Sequence, residues 1–365
     1  MPSGIWSVMS AVMAISQGTG DKPPQDQPPI ITPPYEVTGA QGDQGQSPSG
    51  GNAFNPKIGL VTDARAILHD RNKKDETATL KEAELSVAAD VDPFLSAEAF
   101  IAFAHEDGQD VVAVEEAFGT YSNLGHGLAG RFGKFKGAVG RVNRLHTHAL
   151  PYMDLPLVIQ NTFGGEGLKG VGGEISYLFP SQRYLDLTLE AISPEDGPVF
   201  MKSRASNPVT VAHLRTFFDF SEDLSGQLGF TAANGPTEDN RANVLGIDYT
   251  MKWQPGMANR FWQFETEAYW ADKVAIGADR TMGWYAGFTT QLTPKLFASA
   301  RLDYSEIPNS TDIQRAYMVN LTLKPTEFHH WRLEFQHITS KLQKDRDLMA
   351  LQFVWLIGSH PAHKY

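Results

Sequence analysis

The sequence predicts an all-β protein, a transmembrane antiparallel β-barrel of about sixteen strands with no plug domain. Three observations predict this fold. Apolar and polar residues alternate with a period of two over segments of about ten residues, the segments are long enough to cross a bilayer, and short connections alternate with long ones. A plugged transporter barrel of about 22 strands would need a longer chain than 365 residues.

The alternation is clearest in the segment from Trp262 to Trp270. Phe264 falls on the same face of an extended strand as the two tryptophans, whereas Glu265 and Glu267 fall on the other. In a soluble β-sandwich the apolar face would be the core. In an outer-membrane barrel the apolar face contacts lipid and the polar face lines the lumen.

The length of this segment favours the barrel. From Trp262 to Trp270 an extended chain covers about 26 Å at ~3.3 Å per residue, or about 20 Å of height at a tilt of ~40°. That height nearly matches the lipid-facing band of a barrel. Tryptophans near opposite ends of one face are typical of the two interfacial aromatic girdles, although two large core residues would give the same pattern.

The connections also favour a barrel. Short ones such as 181–182 and 293–294 alternate with long ones such as 138–167, 194–208 and 272–280. Short periplasmic turns opposite longer outer loops, with an even number of strands, are typical of such proteins. Strands are predicted near residues 57–68, 80–90, 94–105, 110–121, 127–137, 168–180, 183–193, 209–221, 224–234, 241–253, 260–271, 281–292, 295–305, 313–324, 328–339 and 346–358.

The front of the chain differs from the rest. Residues 1–16 contain an apolar run with small residues at Ala14 and Ser16, which predicts a signal peptide and export. Residues 17–56 carry three Pro-Pro pairs and then a Gly/Gln/Ser stretch, a composition that cannot bury a core. We therefore predict a disordered linker, followed by the barrel over residues 57–365.

Composition excludes several function classes. The chain has 31 basic and 42 acidic side chains, a net charge of −11 and no cysteine. The charge argues against a nucleic-acid partner, and the lack of cysteine excludes disulfide and thiolate-metal scaffolds. No run approaches the ~18 consecutive apolar residues of a spanning helix. There is no G-x-S-x-G, Walker A or H-E-x-x-H motif, so we predict that the protein is not an enzyme.

The longest connection, 138–167, follows the fifth predicted strand and is rich in basic residues. Its position resembles that of the loop that folds into the barrel and narrows the pore in general porins. We expect a pore constriction whose positive side consists of Arg131, Lys134, Arg141 and Arg144. The alternative is a basic outer loop that contacts anionic lipid headgroups or solubilises the rim.

The predicted lumen face is acidic, with a lumen wall that includes Glu265, Glu267 and Glu334. A basic constriction facing acidic walls would create a transverse field that selects solutes by their charge distribution. His146 and His148 are spaced so that their imidazoles could share a metal ion such as zinc. Polar loop histidines are the alternative, and otherwise no cofactor is expected.

Two stretches of the sequence resemble a known family. Residues 133–151 (GKFKGAVGRVNRLHTHALP), continued by Asp-Leu-Pro at 154–156, and the ending 355–365 (WLIGSHPAHKY) are similar to predicted bacterial outer-membrane β-barrel proteins often labelled zinc-regulated TonB-dependent outer membrane receptors. The resemblance implies an outer-membrane location. It also implies a link to zinc, for which His146 and His148 are the candidate ligands.

Together these features predict a porin-like channel in the outer membrane of a Gram-negative bacterium, for passive diffusion of small polar or charged solutes. A metal-linked (zinc) uptake receptor and a secreted soluble β-sandwich or adhesin are the alternatives. The expected partners are outer-membrane lipid, small polar or ionic solutes, further copies of the chain and the barrel assembly machinery. The last expectation depends on the alternating apolar residues of the final strand, Leu351, Phe353, Trp355 and Ile357.

Overall fold

The structure of the protein is a computed structural model. The structure describes residues 56–70, 78–106, 109–202, 204–238, 240–256, 260–275, 278–308 and 310–358. The predicted signal peptide, the predicted linker up to residue 55 and the tail from residue 359 lie outside the described residues.

The described residues form a closed barrel of sixteen strands. Each strand pairs antiparallel with its neighbours in the chain, and β1 closes the barrel on β16. The predicted fold class is thereby confirmed. The strands are β1 Lys57–Asp70, β2 Ala78–Asp90, β3 Leu95–Glu106, β4 Gln109–Gly125, β5 Leu128–Lys136, β6 Lys169–Leu178, β7 Leu185–Pro194, β8 Val209–Asp219, β9 Leu224–Pro236, β10 Arg241–Trp253, β11 Trp262–Ala275, β12 Ala278–Thr293, β13 Leu296–Glu306, β14 Ile313–Thr326, β15 His329–Ser340 and β16 Arg346–Gly358.

An even strand count places both termini of the barrel at one end, which we call the turn end because short connections such as 126–127 and 294–295 lie there. The opposite end, the loop end, carries the connections 137–168 and 195–208. One long connection was predicted wrongly. Residues 272–280 extend the hairpin instead of interrupting it, because Asp272 pairs with Arg280 in the ladder of β11 and β12.

On most strands polar side chains point into the barrel and large apolar ones point out; inward apolar residues such as Val211 and Val244 pack in one buried cluster with the lumen loop. On β11, Glu265 and Glu267 are buried, whereas Trp270 is 40% exposed. On β15, Glu334 is buried and its neighbour Leu333 is 43% exposed. A water-soluble protein buries its large apolar side chains and rarely exposes a continuous apolar belt. The soluble β-sandwich alternative is therefore wrong: the apolar faces form the outside of a single closed sheet.

The exposed belt continues around the barrel. Large apolar side chains that are more than one third exposed include Ile58, Leu80, Phe103, Phe132, Val171, Ile175, Leu189, Phe230, Leu245, Phe288, Leu302, Val319, Leu321, Trp331 and Phe335. No helix in the described part of the chain is long and apolar enough to cross a membrane.

The connection 137–168, which we call the lumen loop, crosses the inside of the barrel. It leaves β5 and returns to β6, but its short helix α1, Leu157–Phe163, contacts β11 to β14 on the opposite wall. Leu145 and Val158 are fully buried, and such side chains each stabilise the packing by about 1.5–3 kcal/mol. These contacts hold the loop inside the barrel, and its role as a pore constriction stays a prediction.

Candidate functional site

The first residues of the lumen loop contact the inner faces of two separate strands, β7 and β11. The backbone N–H of Ala138 donates to both carboxylate oxygens of Glu190, at 2.9 Å each. The N–H groups of Arg141 and Val142 donate to Oε1 of Glu267, at 3.1 and 2.8 Å, and Nη1 of Arg141 donates to Oε2 of Glu265 at 3.0 Å. The two predicted wall acids thus contact the loop directly and fix its first turn.

A glycine is required where this turn meets the wall. Gly140 has a φ of 65°, a conformation that costs other residues about 1–2 kcal/mol. A Cβ at this position would also overlap the carboxylate of Glu267 and the hydroxyl of Tyr269. The hydroxyl of Tyr269 donates to Oε2 of Glu267 at 2.6 Å, which holds that carboxylate toward the loop. The chain can therefore pass close to the wall only at a glycine.

Arg144 joins the middle of the lumen loop to β6 and β7. Its Nη2 donates to Oε2 of Glu174 at 2.6 Å and to Oε1 of Glu190 at 3.1 Å. Burial works against the charged guanidinium, but the negative charges of Glu174 and Glu190 raise the pKa of Arg144 above its ordinary value. Arg131, on β5, donates to the same Oε2 of Glu174 at 2.5 Å. Two of the predicted constriction residues therefore share one carboxylate.

The middle of the lumen loop is bound to β14 and β15, where the amide of Asn320 donates to the carbonyl of Pro151 at 2.8 Å. Glu334 accepts a hydrogen bond from the N–H of Met153 at 3.1 Å and another from the amide of Asn320 at 3.1 Å. Arg332 donates to the carbonyl of Leu150 at 2.8 Å. Glu334, a predicted wall residue, is thus also a loop anchor.

The stretch of the loop just before helix α1 is held by two arginines that the sequence reasoning did not select. Arg65, on β1, donates to Oδ1 of Asp154 at 2.9 Å and to the carbonyl of Met153 at 2.7 Å. Arg301, on β13, donates to the carbonyl of Asp154 at 2.8 Å. Burial would raise the pKa of Asp154, but the charge and hydrogen bond of Arg65 lower it overall. In the sequence, Arg301 alternates with the apolar residues Ala300 and Leu302, which indicates an inward orientation. The sequence does not indicate which loop residue Arg301 contacts.

Lys134 does not join the predicted constriction. It lies on the side of β5 that carries Phe132, which is 71% exposed, and it is opposite the exposed Val171 in the ladder with β6. Its ammonium group pairs with Glu195 at 2.6 Å, beyond the end of β7. The structure therefore places Lys134 on the outside of the barrel near the loop end, where it cannot contribute to a lumen field at close range.

His146 lies between two carboxylates. Its Nδ1 contacts Glu84 and its Nε2 lies 3.4 Å from Glu116. Burial disfavours the charged imidazole, but the charge of Glu84 and the hydrogen bonds to Glu116 and Glu84 raise the pKa of His146 to about 10. At neutral pH the side chain is therefore an imidazolium that ties the lumen loop to β2 and β4.

The donor atoms of Glu84, His146 and His148 also form a cluster in which all lie within 4.8 Å of one another. Two imidazoles and a carboxylate are a ligand set that zinc accepts at distances of about 2.0–2.2 Å. Zinc would require the three groups to move closer together and His146 to lose its proton. Of the other histidine pairs, His329 and His330 point to opposite faces of β15, and residues 360–363 lie outside the described residues.

A polar chamber lies between the lumen loop and the inner walls of β3 to β8, toward the turn end. Its volume is about 360 Å³. It is lined by four basic and four acidic side chains, which are Arg131, Lys136, Arg144, Arg215, Glu98, Glu116, Glu174 and Asp186. A groove of about 460 Å³ lies on the outside of β12 to β16, where Ala298 and Ala300 leave space between lipid-facing side chains.

Comparison with known proteins places this architecture among porins. No family model matches the chain. An uncharacterized protein of Aquifex aeolicus (strain VF5) is 27% identical over 392 residues, which covers 87% of this chain and 82% of that protein.

Three solved structures are similar in fold. OprB of Pseudomonas putida at high pH has 9% identity and a TM-score of 0.63, with 83% of this chain and 94% of that chain covered. An anion-selective porin from Comamonas acidovorans has 9% identity and a TM-score of 0.60, covering 83% and 99%. The channel DcaP of Acinetobacter baumannii has 12% identity and a TM-score of 0.56, covering 83% and 96%.

The fold is that of an outer-membrane porin barrel, and the TonB-dependent receptor label is not supported. Receptors of that type have about 22 strands and a plugged lumen. Here the barrel closes with sixteen strands, and among the described residues the lumen is crossed by a loop between β5 and β6, with no separate plug domain.

Proposed function

We propose that the protein is a non-enzymatic channel of the bacterial outer membrane, through which small polar or charged solutes diffuse passively. The single observation that carries this proposal is the charged chamber beneath the lumen loop, inside a barrel whose outside is apolar. A lumen lined by ionised side chains is costly to build without water or solute to contact. The porin folds of the neighbouring structures support the same function.

The positive and negative side chains of the chamber are equal in number, so their positions, and not a net charge, would determine how they act on a passing solute. Arg131 and Arg144 converge on Glu174, while Arg215 binds Asp186 on the adjoining wall. Alternating charges in a low-dielectric passage create a local field without a strong net attraction. A solute can then enter and also leave, which passive conduction requires.

The lumen loop sets a fixed constriction in this proposal. It is bonded to β7 and β11 at its start through Glu190 and Glu267, and to β15 near its middle through Glu334. A segment held at both sides of the lumen narrows the passage permanently. We therefore propose a pore of constant size, with no moving gate in the lumen loop.

A liposome-swelling assay tests this function. Full-length protein reconstituted into liposomes is expected to admit small polar solutes at a rate that falls with solute size, because the lumen loop limits the passage. Empty liposomes are the control. Liposomes that contain folded, heat-modifiable barrel and yet exclude every solute would contradict the proposal.

A second candidate function, metal-linked uptake, is favoured by the cluster of Glu84, His146 and His148. If zinc binds there, it should raise the unfolding temperature of the detergent-folded barrel, and His148→Ala should abolish the shift. His126→Ala, at a turn between β4 and β5, is the matched control and should keep it. An identical zinc response in all three proteins would eliminate this site.

Two partner predictions remain open to experiment. The apolar residues Leu351, Phe353, Trp355 and Ile357 lie on the outer face of β16, as a strand recognised by the assembly machinery would present them. Homo-oligomerisation likewise remains a prediction.

A further inference from the structure

Arg131 is held rigidly in the chamber by stacking as well as by charge. Its guanidinium carbon lies 4.4 Å from the ring centre of Phe135 and 4.9 Å from that of Phe118. Cation–π contacts of this kind stabilise a guanidinium by about 0.5–2 kcal/mol. Together with the bond from Nη2 to Glu174 they fix the orientation of the plane, so its remaining N–H groups point in a defined direction.

Arg144 reaches the same place from the lumen loop. Its Nη2 binds Oε2 of Glu174, the oxygen that Arg131 also uses, and Oε1 of Glu190. Two guanidinium groups from different segments therefore converge on one carboxylate. Both line the chamber, and each approaches Glu174 through its Nη2 nitrogen only.

The Nε–H groups of these two arginines have no acceptor among the described residues. The Nε atoms of Arg131 and Arg144 are both buried, and neither makes a hydrogen bond. A buried donor without an acceptor costs about 1–3 kcal/mol. Both guanidinium groups line the chamber, so an incoming oxyanion can approach their positive charges there, and a small shift of either group would let its Nε–H donate to the oxyanion.

The third arginine of the chamber provides a contrast. Arg215 donates through Nε and Nη2 to the two oxygens of Asp186, at 2.9 and 3.2 Å, and through Nη2 to the hydroxyl of Tyr184 at 3.2 Å. The Nε and Nη2 groups of Arg215 therefore already donate to a carboxylate of the protein itself. The bidentate pair of Arg215 and Asp186 also illustrates the geometry that a solute carboxylate would adopt with a guanidinium.

We propose that Arg131 and Arg144 form a binding site for the carboxylate group of a small monoanionic or zwitterionic solute, a proposal that rests on the chamber being the solute path of the proposed channel. The charge balance of the chamber selects this class. Its four acidic side chains match its four basic ones, so a second negative charge on the solute would meet Glu174 and Asp186 without a compensating cation. The volume of about 360 Å³ suits a small molecule.

The test is calorimetric titration of the full-length, detergent-folded barrel with benzoate, and with benzamide as an uncharged probe of the same shape. Wild type is expected to bind benzoate at least tenfold more tightly than benzamide. Arg131→Gln and Arg144→Gln should each weaken benzoate binding at least tenfold. Arg204→Gln, an exposed residue of a loop-end connection, is the matched control and should bind as wild type does.

The Arg131→Gln variant separates the binding result from loop docking, because Arg144 also joins the lumen loop to β6 and β7. Arg131 lies on a strand, so Arg131→Gln leaves the loop anchors at Glu267 and Glu334 in place. Equal benzoate affinity in all four proteins, or equal binding of benzoate and benzamide, would overturn the site. If the barrel binds benzoate but excludes solutes from liposomes, the proposed channel function is wrong and the binding site stands. If solutes pass but benzoate does not bind, the binding site is wrong and the channel function stands.

Discussion

The backbone N–H of Val142 donates to the carboxylate of Glu267 over 2.8 Å, which joins the lumen loop to the opposite half of the barrel. Glu267 accepts the N–H of Arg141 with the same oxygen. An acidic residue on the lumen face would ordinarily be read as part of the solute path. Here Glu267 accepts hydrogen bonds from backbone N–H groups of the loop that have no partner in the sheet. Every buried loop needs such acceptors for its backbone N–H groups.

Replacing Glu267 by Ala should therefore release the start of the lumen loop. The change leaves two buried N–H groups without an acceptor, at a cost of about 1–3 kcal/mol each. Urea unfolding of the detergent-folded barrel should detect the loss, and the open-channel current should become noisier as the loop moves. Glu327→Ala, at an exposed turn, is the control. Unchanged stability and current noise would argue against an anchoring role.

Gly140→Ala should destabilise the barrel by at least the ~1–2 kcal/mol cost of a positive φ, because a Cβ there would also overlap Glu267 and Tyr269. Gly165→Ala in the same loop is a matched control, since no atom lies within 4 Å of the added Cβ. The urea concentration at the midpoint of unfolding measures the stability of both variants. If the two variants unfold at the same urea concentration, the close approach at Gly140 is not formed.

Lys134→Ala should leave ion selectivity unchanged, whereas Arg131→Ala should shift the reversal potential toward cations. The reason is position: Lys134 lies on the outer side of β5 and pairs with Glu195, and Arg131 lines the chamber. Reversal potentials across a planar bilayer under a salt gradient compare the two. An equal shift in both variants would place Lys134 in the solute path after all.

The ion pair of Asp154 and Arg65 should make the docking of the lumen loop sensitive to acid. The pKa of Asp154 is lowered in the folded protein, so its contribution to stability is present above the ordinary pKa of about 3.9 and is lost as pH falls through the lowered value. The Asp154 side chain is 40% exposed, so water screens the pair and the effect is small. The difference in unfolding temperature between wild type and Asp154→Asn should therefore shrink as pH falls through the lowered pKa of Asp154, and a difference that stays constant with pH would refute the assignment.

The strands could be predicted from sequence because a lipid-facing barrel imposes a period of two on every strand. Residues 241–253, for example, were predicted as a strand and form β10 with the same bounds. The hairpin around 272–280 was missed because its tip carries polar residues such as Asp272, which continue the ladder by pairing with Arg280. Hydropathy alone does not distinguish such a ladder from a loop.

The contacts of the lumen loop could not be predicted, because they join residues far apart in the sequence. Arg141 and Glu265 were both selected, but as opposite sides of an open passage, whereas they form an ion pair of 3.0 Å. Lys134 was assigned to the lumen by its charge. Its position two residues after Phe132 already indicated the outer face, so in this case the alternation was the better guide.

Single-channel conductance of the full-length protein in a planar bilayer tests the central claim most directly. A polar chamber beneath a fixed lumen loop predicts discrete ohmic current steps of one size, which persist without voltage-dependent closure. A folded barrel that inserts into the bilayer and passes no current would contradict the claim, because the lumen would then be closed and the charged chamber would not be a path for solutes.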